Sequence, residues 1–217
     1  MTRIPDFAAV VVDPDAAEFY RKTYARHRAI HKSWMGRKIE KNPLDLWVYQ
    51  EIVYAIRPDW IVETGSFHGG SALYLAHLCD IIGGGRVVSI DVKRYERPEH
   101  PRIAWLNGGS TDREVIESVE RIVGNDPGTR VMAILDSDHA APHVLAEMQA
   151  YGPLVSKGCY MIVEDTSING HPTRPDFGPG PAEAVEAFLR DHPEFEPDRS
   201  CERFLFTDHP GGYLRRR

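Results

Sequence analysis

The chain has 217 residues, of which 42% are hydrophobic and 27% charged, a composition typical of a globular protein and unlike that of a disordered or fibrous one. The formal net charge of −6 argues against a general nucleic-acid binder. No stretch approaches the roughly 18 apolar residues of a membrane span, the N-terminus does not read as a signal peptide, and three widely separated cysteines indicate reduced thiols in a cytoplasm.

The N-terminal part of the chain predicts helices and a connecting loop. Residues Asp15 to Lys32 are typical of a polar helix, and a loop follows over SWMGRKIEKNP. Apolar residues at helical spacing then predict a second helix over LDLWVYQEIVYAI, with Pro43 suited to its start. We therefore expect an N-terminal helix and lid segment over residues 1–43, and one main domain over residues 44–217.

Strands and helices alternate through the rest of the chain. The predicted strands are Trp60–Thr64, Arg86–Asp91, Ile103–Asn107, Arg130–Asp136 and Gly158–Glu164, followed by an antiparallel pair over Glu194–Asp198 and Arg203–Thr207 joined by a short turn. Strands separated by crossover helices form a parallel sheet. The expected fold is therefore α/β, a Rossmann-like, mostly parallel sheet of seven strands with a C-terminal antiparallel hairpin and helices on both faces. Ligands of such sheets bind beyond the carboxyl ends of the strands.

The first of these strands ends in a glycine-rich turn, ETGSFHGGS. Glycine lets the backbone approach a ligand closely, and the following helix directs amide groups toward it. The spacing is not the GxGxxG of dinucleotide folds, and an acidic residue two positions before the first glycine is more typical of an adenosylmethionine site. A purely structural turn is the alternative. The candidate cofactor residues here are Glu63, Gly65, Ser66, Phe67, Gly70 and Ser71.

The next two strands end in further candidates for an adenosine-type ligand. Asp91 closes its strand, where a carboxylate accepts hydrogen bonds from ribose hydroxyls; a solvated loop aspartate is the alternative. Gly109 and Ser110 follow the third strand, where small residues allow an adenine ring to pass, or form only a turn and helix cap. The succession of Glu63, the glycine turn and Asp91 is a stronger signal than any one of them.

Carboxylates follow the last two parallel strands. Asp136 and Asp138 end one, and Glu164 and Asp165 end its expected neighbour. Crowded carboxylates repel each other, and a divalent cation relieves that repulsion. All-oxygen ligands favour Mg²⁺, with Mn²⁺ or Ca²⁺ open, and solvated acidic loops are the alternative.

One histidine lies at the same edge of the sheet. His139 follows Asp136 by three residues, and imidazole is the commonest general base. An exposed or structural histidine is the alternative. His139 and Asp136 are the candidate catalytic residues.

Several of these segments resemble the cephalosporin hydroxylase family, which groups with macrolide-sugar and rhamnosyl O-methyltransferases. The similarity runs from about Trp34 onward and includes VETGSFHGGS, VVSIDV, LDSDHAAPH, MIVEDT and HPGGYLRR. It implies a class I methyltransferase fold that uses S-adenosylmethionine and Mg²⁺. By motif match Asp136, Glu164 and Asp165 are the metal ligands, Glu63, Gly65, Ser71 and Asp91 bind S-adenosylmethionine, and His139 is the base.

Together these features predict a Mg²⁺-dependent O-methyltransferase of antibiotic or other secondary-metabolite biosynthesis. The expected acceptor is a small hydroxylated molecule, namely a sugar with a vicinal diol, and a phenol or catechol is the alternative. A nicotinamide-dependent oxidoreductase and a non-catalytic S-adenosylmethionine-binding partner subunit are the rival interpretations. We expect a homo-oligomer with no nucleic-acid or membrane partner.

Overall fold

A computed structural model describes residues 14–217. The first part of the expected N-terminal segment, residues 1–13, lies outside the described residues. The helices are α1 (Pro14–Ala29), α2 (Pro43–Ile56), α3 (Gly70–Ile81), α4 (Arg113–Val123), α5 (Ala141–Tyr151) and α6 (Pro181–Asp191). The strands are β1 (Ser33–Trp34), β2 (Arg37–Lys38), β3 (Trp60–Thr64), β4 (Arg86–Asp91), β5 (Ile103–Asn107), β6 (Val131–Leu135), β7 (Tyr160–Val163), β8 (Phe195–Pro197) and β9 (Tyr213–Arg216).

Seven of the strands form one sheet in the order β5-β4-β3-β6-β7-β9-β8. The five strands from β3 to β7 are parallel, and β9 pairs antiparallel with both β7 and β8. The chain progresses outward from β3 to β5 and then crosses back to β6 on the other side of β3. Because crossovers are right-handed, this reversal places α3 on one face of the sheet and α4 and α5 on the other. The expected α/β fold class is confirmed.

The C-terminal hairpin differs from the prediction in its second strand. That strand is β9, Tyr213–Arg216, whereas Arg203–Thr207 contains no strand. Leu205 has a φ of 48°, a left-handed conformation that interrupts an extended chain. β8 and β9 are neighbours in the sheet, but residues 198–212 separate them in the chain. A long connection therefore joins these two strands, in place of the short turn that was predicted. The apolar residues of RFLFT suggested a strand, but the aromatic side chains pack on other elements instead. Phe206, for example, is stacked on Tyr20 of α1.

The core lies between the sheet and its helices. All the residues of β6 and β7 are buried, as are the central residues of β3 and β4, which is the pattern of strands covered on both faces. Cys79, Cys159 and Cys201 are all free and buried. The described residues include no helix that is long and apolar enough to cross a membrane.

The segment before α2, expected to be a loop, contains a short ribbon. β1 and β2 pair through a tight turn, and Trp34 holds the ribbon against α3, with its indole Nε1 donating to His77 Nδ1 at 3.0 Å and its ring edge-on to Tyr74. The chain then passes over the first turn of α3. A Cβ on Gly70 would overlap the carbonyl oxygen of Lys38 and lie 2.8 Å from its carbonyl carbon. The residues that lead to α2 are therefore fixed over the glycine turn.

Candidate active site

The glycine turn between β3 and α3 is packed directly against the end of β6. Gly65 has a φ of +82°, and a Cβ there would overlap the carbonyl oxygen of Asp136 and lie 2.5 Å from its carbonyl carbon. Only glycine combines this backbone conformation with this close approach. The backbone of the predicted cofactor turn is therefore in direct contact with the backbone of the first predicted metal ligand.

Buried polar groups hold the turn in place. Ser89 donates to Glu63 Oε2 at 2.5 Å, and the hydroxyls of Ser89 and Ser66 lie 2.6 Å apart. Glu63 is fully buried, and its Oε1 has no hydrogen-bond partner among the described residues. Burial raises the pKa of this carboxyl group. An unsatisfied buried oxygen is costly, so this position fits a ligand that supplies a donor.

Asp91 connects the end of β4 to the same turn. Its Oδ2 accepts the backbone N–H of Phe67 at 2.7 Å, and its Oδ1 accepts that of Lys93 at 2.8 Å. Each carboxylate oxygen can accept a further hydrogen bond, so Asp91 still offers an acceptor pair to a ligand. The structure therefore brings together Asp91 and the residues of the glycine turn that the sequence predicted.

Gly109 and Ser110 lie in the loop after β5. Gly109 N–H donates to Asp112 Oδ2 at 2.8 Å, which is the helix-start turn foreseen as the alternative. Ser110 Oγ lies 3.2 Å from His143 Nε2, and Ser137 Oγ lies 3.1 Å from the same nitrogen. Through His143 the loop is connected to the residue that follows Asp136.

The predicted carboxylates and His139 converge at the ends of β6 and β7. His139 Nε2 lies 3.4 Å from Asp165 Oδ2 and 3.9 Å from Asp136 Oδ1. One ligand atom from each of these three residues falls within 4.8 Å of the others. Two carboxylates and an imidazole at this separation are a donor set that a divalent cation can bind.

Glu164 lies beside this group, with its Oε1 engaged by two partners. Tyr49 Oη donates to it at 2.7 Å, and Lys41 Nζ donates at 2.5 Å. Burial and the neighbouring Asp136 together raise the pKa of Glu164 to about 7, against the opposing effect of Lys41. The other oxygen, Oε2, lies 3.7 Å from His209 Nε2.

Lys41 was not predicted from the sequence. Its ammonium group contacts Asp136 Oδ2 as well as Glu164 Oε1, each at 2.5 Å, and its side chain is only 4% exposed. Burial by itself would lower the pKa of Lys41, but the carboxylates of Asp136 and Glu164 raise it above its usual value. Burial alone would likewise raise the pKa of Asp136, but Lys41 lowers it. Lys41 and Asp136 are therefore both charged and form an ion pair.

A buried histidine of the C-terminal segment, His209, contacts the residues that carry the carboxylates. His209 Nδ1 accepts the backbone N–H of Asp165 at 3.0 Å, so its Nε2 carries the proton that faces Tyr49 Oη at 3.2 Å. His209 Nε2 also lies 3.6 Å from Asp45. Burial would lower the pKa of His209, but Asp45 and Glu164 raise it.

The last turn of helix α1 brings a basic side chain close to the carboxylates. Arg28 lies 3.9 Å from Asp165 Oδ2. A cavity of about 480 Å³ lies further along α1, lined by residues that include Ala17, Tyr20 and Thr166. None of the predicted cofactor or metal residues lines this cavity.

Comparison with known proteins assigns the chain to a family. The Rhamnosyl O-methyltransferase/CmcI model matches residues 26–217. A rhamnosyl O-methyltransferase of Mycobacterium leprae (strain TN) is 38% identical over 211 residues, which cover 94% of this chain and 92% of the relative. The corresponding protein of Mycobacterium tuberculosis (strain ATCC 25618 / H37Rv) is 37% identical over 209 residues, covering 93% and 85%.

Solved structures share the fold at lower identity. A CmcI structure with Mg and SAM (cmcI-D160 Mg-SAM) superposes with a TM-score of 0.64 at 22% identity, covering 100% of this chain and 88% of that one. MycE methyltransferase of the mycinamycin pathway, in complex with Mg and SAH, gives a TM-score of 0.52 at 18% identity, covering 86% and 48%. This chain belongs to the Rhamnosyl O-methyltransferase/CmcI family. It is accordingly an O-methyltransferase, as the sequence resemblance implied.

Proposed function

We propose that this enzyme transfers the methyl group of S-adenosylmethionine to a hydroxyl group of a sugar-bearing secondary metabolite, with Mg²⁺ bound at the ends of β6 and β7. One observation carries the proposal. Carboxylate oxygens of Asp136 and Asp165 lie within 4.8 Å of each other, with the proposed base His139 within the same distance of both, on the strand end against which Gly65 is packed. A methyl donor held by the turn and an acceptor held by the cluster would then be neighbours.

The residues around the glycine turn are those we propose to hold S-adenosylmethionine. This cofactor supplies an electrophilic methyl group when bound. Asp91 accepts the ribose hydroxyls, Glu63 Oε1 accepts a donor of the ligand, and the start of α3 at Gly70 and Ser71 directs amide groups toward its carboxylate. Gly109 and Ser110 flank the adenine. A solved CmcI structure contains Mg and SAM, and a MycE structure contains Mg and SAH.

Asp136 and Asp165 are the carboxylates best placed to hold Mg²⁺, and Glu164 is the third proposed ligand. Mg²⁺ prefers oxygen ligands, and the bound metal lowers the pKa of a hydroxyl group that coordinates to it. His209 fixes the backbone of Asp165 through the hydrogen bond to its N–H. Tyr49 fixes Glu164 through its hydroxyl group. These buried partners keep the carboxylates at the edge of the sheet.

His139 is the proposed general base. Its Nε2 lies 3.4 Å from Asp165 Oδ2, so a carboxylate neighbours the nitrogen that receives the acceptor proton and stabilises the imidazolium that forms. Its side chain is 24% exposed, so an acceptor can approach the ring. Asp136 Oδ1, 3.9 Å away on the other side, helps to orient the same ring.

The relatives support a sugar as the acceptor. The curated relatives are named for methylation of a rhamnosyl group, and a solved MycE complex contains Mycinamycin VI. We propose a vicinal diol, since two neighbouring hydroxyls could engage one metal ion. Residues 14–43, which bring Arg28 and Lys41 to the cluster, form the described part of the proposed lid segment. A homo-oligomer in the cytoplasm completes the proposal.

A screen of glycosylated and phenolic acceptors with S-adenosylmethionine labelled on its methyl group tests this function. We expect labelled product with a glycoside that carries adjacent free hydroxyls, and no product with the same glycoside when those hydroxyls are blocked. Adenosylhomocysteine should protect the enzyme from thermal unfolding while NADH should not. Labelling of catechols alone would favour a phenol methyltransferase, and binding of adenosylhomocysteine with no product from any acceptor would favour a non-catalytic subunit.

A further inference from the structure

Lys41 occupies the position between two of the three proposed metal ligands. Its Nζ lies 2.5 Å from Asp136 Oδ2 and 2.5 Å from Glu164 Oε1. A Mg²⁺ ion that bridged these two oxygens would need distances of about 2.0–2.1 Å to each. The ion and the ammonium nitrogen would therefore require the same volume.

The ammonium group is shielded from water together with one of its carboxylate partners. Lys41 is among the most buried charged residues of the described chain, at 5% exposure, and Glu164 is 3% exposed. The backbone just before it is fixed over α3, because the carbonyl of Lys38 lies against Gly70. Displacement of the charge is therefore a movement of the four-carbon side chain rather than of the segment.

The charges of the cluster explain why a cation is present. Asp136, Glu164 and Asp165 bring three carboxylates to the ends of β6 and β7, and a second permanent cation, Arg28, lies 3.9 Å from Asp165. Leaving buried carboxylates without a counter-charge is strongly destabilising. Lys41 supplies that charge to the two carboxylates that Arg28 does not contact.

We infer that Lys41 is an internal competitor of the metal ion: its ammonium group neutralises Asp136 and Glu164 in the metal-free enzyme, and a divalent cation that binds both carboxylates must displace it. The inference rests on the proposed function, because it presumes that these carboxylates bind Mg²⁺. Lys41 then sets the affinity of the site. It keeps the folded carboxylates in place before the metal binds, and weakens metal binding in return.

Calorimetric titration of Mg²⁺ into the full-length protein, without S-adenosylmethionine, tests the inference in wild type, Lys41→Met and Lys41→Gln. Both substitutions remove the competing charge. Two cations a few ångströms apart repel each other, and the repulsion energy exceeds the free energy that corresponds to a tenfold change in affinity. We therefore expect the Kd for Mg²⁺ to fall at least about tenfold in both variants. Lys157→Met is the control, since it removes an exposed lysine from the turn before β7, at the opposite end of that strand from Glu164.

Thermal unfolding in EDTA and in Mg²⁺ provides a second measurement. In EDTA both Lys41 variants should melt below the wild type, and Mg²⁺ should raise their Tm more than it raises that of the wild type or Lys157→Met. If Lys41→Met folds only when Mg²⁺ is present, that rescue supports the inference, and Lys41→Gln supplies the affinity.

The outcomes separate the inference from the proposed function. Wild-type binding of Mg²⁺ with equal or weaker binding in both Lys41 variants would overturn the competition and leave the metal-dependent function standing. Absence of Mg²⁺ binding in the wild type and in both variants would overturn the metal part of the proposed function, and the competition with it.

Discussion

Gly65→Ala tests whether the cofactor turn and the metal strand are locked together. The added Cβ would overlap the carbonyl oxygen of Asp136 and lie 2.5 Å from its carbonyl carbon, with Ser137 Cα at 3.1 Å. All three atoms are backbone, so no side chain can move aside. Either the turn or the end of β6 must shift.

The cost has two parts. A non-glycine residue at a φ of +82° costs about 1–2 kcal/mol in backbone conformation. Separating the strand ends also weakens the hydrogen bonds that Asp136 N–H donates to the carbonyl and hydroxyl oxygens of Thr64, both at 3.2 Å, each worth about 0.5–1.5 kcal/mol. The expected total is about 2–5 kcal/mol, which for a chain of this size lowers Tm by roughly 4–20 °C.

Gly83→Ala is the matched control. Gly83 has a φ of +75° and nothing within 4 Å of its would-be Cβ, so its substitution costs only the conformational part. Urea unfolding of both variants should show that Gly65→Ala loses at least about 1 kcal/mol more than Gly83→Ala. Binding of adenosylhomocysteine should also fall in Gly65→Ala alone. Equal losses of stability in the two variants would refute the argument from close approach.

Three further substitutions test separate parts of the site. Asp91→Ala removes the proposed ribose acceptor and should weaken binding of adenosylhomocysteine by about 1.5–3 kcal/mol; unchanged affinity by calorimetry would place the ribose elsewhere. His139→Ala should lower kcat by about 10²–10⁴. The loss should be smaller at high pH, where hydroxide replaces the imidazole as the base. A kcat near that of the wild type at neutral pH would show that His139 only lines the pocket. The pKa of Glu164 is raised from 4.5 to about 7 by burial, so its contribution to metal-free stability is present below about pH 4.5 and lost as pH rises through 7. Glu164→Gln should flatten that dependence in urea unfolding; an unaltered pH profile would mean that another group titrates.

The sequence predicted the sheet because the strands carry strong local signals. β3, β4, β6 and β7 are short apolar runs bounded by turns, and their carboxyl ends are marked by Glu63, Asp91, Asp136 and Glu164 respectively. Parallel topology alone places such strand ends at one edge. β9 was missed because its position depends on pairing with β7 and β8, and YLRRR carries two adjacent apolar residues and no alternation.

The partners of the carboxylates were harder to predict, because long-range packing brings them to the site. Lys41 is 95 residues from Asp136 and 123 from Glu164 in sequence. One local signal existed: Asp45 and Tyr49 lie on the same face of α2 as the buried Val48 and Ile52. Polar residues on an apolar helix face need buried partners. They find them in the C-terminal segment, where Tyr213 Oη donates to Asp45 Oδ1 at 2.9 Å.

Methyl transfer measured with and without chelation tests the central claim most directly. With labelled S-adenosylmethionine and an accepted glycoside, activity should vanish in EDTA and return with Mg²⁺. Asp136→Ala should be inactive under both conditions while still binding adenosylhomocysteine, because the glycine turn holds the cofactor through other residues. Full activity in EDTA, or in Asp136→Ala, would contradict the metal-assisted mechanism.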